Sequence, residues 1–338
     1  MSLSRNHWSR QQDVEHNWAL VLAAGEGSRL QALTTMPSGL AVPKQFCSLA
    51  SSSSLLGDAV RRARVIAPTD HICTVVAEHH ERWWRALPGN LPAENIIVQP
   101  RNRGTANGIL LPLLHILHRD ADASLLVLPS DHFVRHEALL ADSLRQAMKQ
   151  TKEGSQQIVM LGFTPEDADD ELGYIVPEGG GGMLRDVSQF IEKPSRSAAN
   201  ALIECGGLWN SFIFAANGQA LLRAFEEHSP QLVADMRKVV ASEGDATARR
   251  RELTALYENL PAVDFSRDIV ERCPSQLRVL NVPACGWSDL GTPRRVAQAV
   301  DRHQLTRRPT RSAVSNAQSF LDLAAQCLLM DRRQENSL

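Results

Sequence analysis

The chain has 338 residues, 43% hydrophobic and 22% charged, with a formal net charge of −2. That length buries one large α/β core or two modest domains, and the near-neutral charge gives no reason to expect nucleic acid or an anionic membrane as partner. The longest apolar run, residues 109–117, is broken by Pro112 and His115 and falls short of a bilayer span, while six cysteines without a CxxC pair or regular spacing argue against a zinc knuckle or disulfide framework.

Residues 1–16 are polar with charges throughout and no apolar core, so a flexible tail is expected there rather than a signal peptide. A soluble, cytoplasmic protein with reduced cysteines follows as the expectation. Residues 19–22 (ALVL) form an unbroken apolar run, the pattern of a parallel strand covered on both faces. The run enters AAGEGSRL, where Gly25 and Gly27 permit positive φ and successive N–H groups form an anion nest. Ser28 adds a hydroxyl, Arg29 a forked cation for phosphate oxygens, and Lys44 a compact point charge from the next loop. A Walker loop is excluded because no Gly-Lys-Ser/Thr follows Gly25. A dinucleotide fingerprint is disfavoured because Leu30 stands where its third glycine belongs. The alternative is a tight strand-to-helix turn with Arg29 and Lys44 solvated.

Helical segments such as 55–66 separate strand-like runs at 72–76, 96–98 and 125–128, the βαβ texture of a parallel sheet. In IIVQPRNRGTANGILL, Thr105 is expected to cap a helix starting near Ala106, and the N–H groups there, with Gln99 and the Thr105 hydroxyl, suit a base edge. The run 125–128 ends in PSDH, so Asp131 lies at a strand's carboxyl end, where open α/β sheets bind ligands. An ordinary turn aspartate is the alternative. From about Ile158 the pieces become shorter and more β-like, with four glycines at 179–182 as a hairpin tip.

In VSQFIEKPS, Glu192 suits hydrogen bonds from sugar hydroxyls and Lys193 a sugar phosphate, although both also read as turn charges before Pro194. Helices are expected at 218–227 and 230–240, Arg249, Arg250 and Arg251 as a solvated helix face, and a strand at 277–282 leading into CGWSDLGTP and a helix after Pro293. Magnesium takes one or two protein carboxylates, so Asp131 and Asp289 fit a shared ion, with helix capping as the rival role of Asp289. Residues 305–315 read as a connector and 314–330 as a helix that docks on the core, a homodimer contact being the alternative.

Seven segments, in order, resemble the nucleotidyltransferases that make nucleotide sugars, most closely the mannose-1-phosphate guanylyltransferases: LAAGEGSRL, VPKQF, RGTA, PSDH, FIEKP, WNSF and GWSDLG. The resemblance implies a Rossmann-like α/β fold, a mixed but mostly parallel sheet flanked by helices, with a smaller β-rich sugar-binding part. It covers residues 17–300, between the tail (1–16) and a C-terminal connector and helix (301–338). It further implies that Ala23, Ala24, Gly25, Gly27 and Ser28 hold the nucleotide with Arg29, that Lys44 and Lys193 compensate charge, and that Asp131 and Asp289 bind Mg2+. Gln99 and Thr105 would contact the base, and Gly173, Glu192, Lys193 and Asn210 the sugar 1-phosphate. GTP and a sugar 1-phosphate, foremost mannose 1-phosphate, are the implied substrates. Another sugar or nucleotide, or a catalytically silent nucleotide-sugar-binding regulator, are the alternatives. The chain departs from the family pattern at Ala24, Gly104, Asn107 and Phe212, of which Ala24, Asn107 and Phe212 are expected near base or sugar.

Overall fold

A computed structural model describes residues 15–302 apart from 37, 50–52, 86–90, 153 and 243–244. The expected tail as far as residue 14, the connector and helix expected over 305–330, and Cys327 lie outside the described residues. Strand β1 (Asn17–Ala23) is followed by helix α1 (Leu55–Ala63), β2 (Ile72–Ala77), β3 (Ile96–Gln99), α2 (Thr105–Arg119), β4 (Ser124–Pro129) and α3 (Glu137–Met148). Next come β5 (Ile158–Phe163), β6 (Tyr174–Pro177), β7 (Leu184–Ile191), α4 (Arg196–Glu204), β8 (Leu208–Asn217), α5 (Gly218–His228), α6 (Pro230–Val240) and α7 (Ala246–Asn259). The described residues end in β9 (Leu277–Asn281) and α8 (Pro293–Arg302).

All nine strands form one sheet, in the order β3-β2-β1-β4-β8-β5-β9-β7-β6. Strands β1 to β4 are mutually parallel, with Ala19 opposite Ile72 on one side and Leu126 on the other. Their unbroken apolar runs follow from burial on both faces. Alternate residues of β1 serve the two layers: Ala19 and Val21 pack with Leu55, Leu56, Ala59 and Val60 of α1, and Trp18 and Leu20 with Ile109, Leu110 and Leu113 of α2.

The expected mostly parallel sheet is corrected. Beyond β4 the pairings β4–β8, β5–β8, β6–β7, β6–β8 and β7–β9 are antiparallel, and only β5–β9 is parallel. Among the described residues only β6 and β7 form a local hairpin, and the other antiparallel pairings join strands separated by helices, so the chain direction reverses at long range rather than through tight turns. The β-rich part is also not a separate sheet: β6 returns to β8, Tyr174 facing Trp209, so β8, β5, β9, β7 and β6 close on one another. The glycines at 179–182 lie between β6 and β7, at the hairpin tip the sequence indicates. Arg249, Arg250 and Arg251 lie exposed on α7. Cys47, Cys73, Cys273 and Cys285 are buried and Cys205 exposed, all as free thiols. No helix among the described residues is long and apolar enough to cross a membrane.

Candidate active site

The glycine loop leaves the carboxyl end of β1. Gly27 is left-handed (φ 62), and its missing side chain leaves room for Lys44, whose Cβ would lie 3.2 Å from a Cβ there. Gly25 has no such backbone demand and borders open space, so its smallness serves close approach to the loop rather than the turn itself. Buried Gln45 props the loop from below, donating to the carbonyls of Ala23 and Gly25, each at 3.0 Å. Ala24 is half-buried against the α2-side core, while Ser28 and Arg29 are exposed.

Lys44 is 5% exposed and joins two loops from distant parts of the chain. Its Nζ donates to Asp131 Oδ2 at 3.0 Å and to the backbone carbonyl of Asp289. The loop after β4 and the loop after β9 are also bridged backbone to backbone, Phe133 and Ser288 exchanging two hydrogen bonds of 2.9 Å. Trp287 Nε1 donates to His132 Nδ1 at 3.2 Å. Burial pushes His132 down to about 3, so the imidazole is neutral and accepts that bond. Buried Arg62 of α1 donates to the His132 carbonyl while gripping Glu137 with two nitrogens. Asp289 is not a helix cap: Thr292 Oγ1 accepts from Arg295 N–H at the start of α8, and the Asp289 carboxylate pairs with Arg295.

The two carboxylates differ. Burial tends to raise Asp131, but the Lys44 ammonium beside it brings it below the usual carboxylate range, and 38% of its side chain meets solvent. Burial raises Asp289, and Lys44 offsets this only in part. Two carboxylates brought together around one lysine, with one member open to solvent, fit a hard cation such as magnesium, which asks for one or two protein carboxylates. A side chain at Gly291 would collide with the Asp289 carboxylate and come 3.4 Å from Arg29 Nη1, so the glycine loop's arginine is a neighbour of the same carboxylate.

The sequence reading missed an acidic loop, residues 166–171, and buried Arg295. Glu171 Oε2 accepts from Arg29 at 2.6 Å, and Asp169 pairs with Arg295, which bridges it to Asp289. Asp169, Glu171 and Arg295 line a cleft of about 330 Å³ that also includes Asp289, Trp209, Trp287, Arg196 and Arg294. A run of acids in a loop reads as solvated, and no local pattern marks its partners 126 and 142 residues away.

Gly173, Glu192 and Asn210 lie together. Asn210 N–H donates to the Gly173 carbonyl at 2.8 Å, and a Cβ at Gly173 would lie 2.6 Å from Glu192 Oε2 and 3.3 Å from Asn210 Cβ. Glu192 Oε2 is buried with no hydrogen-bond partner, and burial, reinforced by Asp264, raises the carboxyl to about 7. Lys193 is exposed, with φ 49; Phe212 and Leu290 are likewise left-handed, φ 58 and 49. Such non-glycine residues carry about 1–3 kcal/mol of strain each and cluster at functional sites. Here they fall within FIEKP, WNSF and GWSDLG.

The base-side expectations need correction. Thr105 is not the N-cap of α2: Gly104 is, and the exposed Thr105 hydroxyl accepts from Phe265 N–H at 2.8 Å. Gln99 is 2% exposed and donates to the Tyr257 hydroxyl at 2.9 Å. Three of the departures face the same segment, 257–266. A side chain at Gly104 (φ 87) would collide with the Val263 carbonyl, Asn107 Nδ2 donates to the Pro261 carbonyl at 3.2 Å, and Phe212 meets Phe265 edge-on at 5.9 Å. The segment's sequence signal is Asp264, whose carboxylate caps the one-turn helix Phe265–Asp268.

Residues 18–304 match the family described as nucleotidyl transferase. Mannose-1-phosphate guanylyltransferase ManC of Salmonella typhimurium is 28% identical over 286 residues, and mannose-1-phosphate guanylyltransferase 2 of Escherichia coli O157:H7 is 29% identical over 299 residues. Each alignment covers 81% of this chain but 58% of the relative, so the chain spans little more than half their length. A crystal structure described as mannose-1-phosphate geranyltransferase from Thermus thermophilus superposes with a TM-score of 0.71 at 27% identity, covering 88% of this chain and 81% of that one.

Proposed function

We propose that this chain, which belongs to the nucleotidyl transferase family, transfers a guanylyl group from GTP to mannose 1-phosphate, giving GDP-mannose and pyrophosphate. The observation that carries the reading is the convergence of Lys44, Asp131 and Asp289 beside the glycine loop at the carboxyl ends of β1 and β4. That is where open α/β sheets take nucleotides. The substrates named for the relatives supply the guanine and the mannose.

The glycine-loop N–H groups around Gly25, Gly27 and Ser28, with Arg29, bind the β- and γ-phosphates. Arg29 exchanges Glu171 for those oxygens. Lys44 sits against the α-phosphate and stabilises charge gathering there. Asp131 and Asp289 would hold magnesium, which when bound neutralises phosphate oxygens and orients the leaving pyrophosphate. Lys193 and Asn210 hold the sugar phosphate, while Glu192, ionised, accepts from sugar hydroxyls in the gap that Gly173 leaves. Exposed Thr105, at the start of α2, meets the base, with Gln99 packed behind it on Tyr257.

A sugar-phosphate oxygen forms a bond to the α-phosphorus as the bond to the β-phosphate oxygen breaks opposite it, the electron pair leaving with pyrophosphate. The attacking oxygen is already ionised at neutral pH, so no side chain serves as general base, and positioning with charge stabilisation supplies the rate. Pyrophosphate release from GTP and mannose 1-phosphate tests the site. Asp131→Asn and Asp289→Asn are each expected to slow it by about 10²–10³-fold. Full magnesium-dependent turnover in both variants would overturn the metal assignment.

A further inference from the structure

Glu26, between the two glycines of the loop, faces two histidines that follow β2. Strands β1 and β2 are parallel neighbours, Ala23 opposite Val76, so the loops leaving their carboxyl ends lie side by side. His79 Nε2 is 3.1 Å from Glu26 Oε2, and His80 Nε2 is 3.8 Å from the same oxygen. The three candidate ligand atoms all lie within 4.8 Å of one another. In a tetrahedral site with bonds of about 2.0–2.2 Å, ligand atoms are separated by roughly 3.2–3.6 Å. The widest separation in the cluster therefore has to close by about 1.2 Å at most for Glu26 and both imidazoles to surround one ion.

A surface ion pair between Glu26 and His79, both about half exposed, accounts for only part of this. It leaves unexplained why a second imidazole, that of His80, buried to 5% exposure beside Phe46, turns its Nε2 towards the same carboxylate. Burial lowers His80 to about 4, which keeps it in the neutral form that ligates metal. Two imidazoles and one carboxylate suit zinc and its neighbours in the first transition row, whereas magnesium prefers oxygen alone. The site thus differs in ion class from the Asp131 and Asp289 pair.

We propose that Glu26, His79 and His80 bind one divalent transition-metal ion of the zinc class, leaving a fourth position open. An ion there fastens the glycine loop to the chain that follows β2. Cobalt(II) titrated into the untagged full chain, with magnesium in excess, tests this through visible absorption. The expected result is one equivalent of Co2+ with a tetrahedral-type band, displaced by Zn2+. Glu26→Gln and His79→Ala change exposed residues, and each is expected to weaken binding by at least about tenfold. Asp131→Asn is expected to leave the band unchanged. Absence of the band in the unaltered chain, its persistence in both Glu26→Gln and His79→Ala, or its loss in Asp131→Asn would each overturn the proposal. No nucleotide enters the measurement, so its outcome is separate from that of the guanylyl-transfer reading.

Discussion

At Glu192 a carboxyl raised from 4.5 to about 7 by burial makes stability depend on pH. The folded chain holds this proton more tightly than the unfolded chain, so the contribution is fully present below about 4.5 and is lost as pH rises through about 7. The buried imidazoles of His80, His115 and His132, lowered by burial to about 4, 4 and 3, act in the opposite sense below 6.5, so the Glu192 contribution is read as a difference: the melting temperature of the unaltered chain relative to Glu192→Gln is expected to fall as pH rises through about 7. Arg29 makes a smaller prediction. Its exposed partner Glu171 competes with phosphate, but an exposed pair is worth about 0.2–1 kcal/mol, so Glu171→Gln tightens GTP by no more than about fivefold in a direct titration. Arg29, Lys44, Asp131, Glu192 and Asp289 were singled out in the sequence by their place in seven motifs in order, since each alone reads equally well as an ordinary turn or cap residue. Arg295 and Asp169 were not, since an arginine in a helix and an acid in an acidic loop read as solvated until the fold joins them.

Between elements, α1 fixes the loop after β4 through Arg62. A lysine there keeps the charge but lacks the fork that reaches both Glu137 and the His132 carbonyl. Arg62 is a positioning residue, and Arg62→Lys is expected to lower kcat by up to about 10²-fold with little change in the KM for GTP. Equal loss in both constants would mean that Arg62 supports only the fold. Gly104→Ala places a side chain against the Val263 carbonyl in a left-handed backbone, which costs at least on the order of 1–3 kcal/mol in urea denaturation. Asn107 and Phe212 looked from the sequence like isolated departures bearing on substrate, and Gly104 like a change confined to its own motif. They proved to share one neighbour, the segment 257–266, because residues some 50 to 160 positions away meet only once α2 and β8 are docked.

Across the whole molecule, the parallel half of the sheet was legible because each strand is an apolar run fenced by helices. The other half was not, because β5, β8 and β9 pair across about 50 to 120 residues and nothing local sets their order. The site draws its loops from both halves, the glycine loop and PSDH from β1 and β4, and GWSDLG from beyond β9. On the proposed reading GTP would tie them together, and at about 100 times its Kd it is expected to add about 2.7 kcal/mol to stability. The reaction and its substrates are probed most sharply by pyrophosphate release across a panel of nucleoside triphosphates, each offered mannose, glucose, fucose and heptose 1-phosphates. Release with GTP and mannose 1-phosphate is expected; release only with a nucleotide other than GTP would contradict guanylyl transfer.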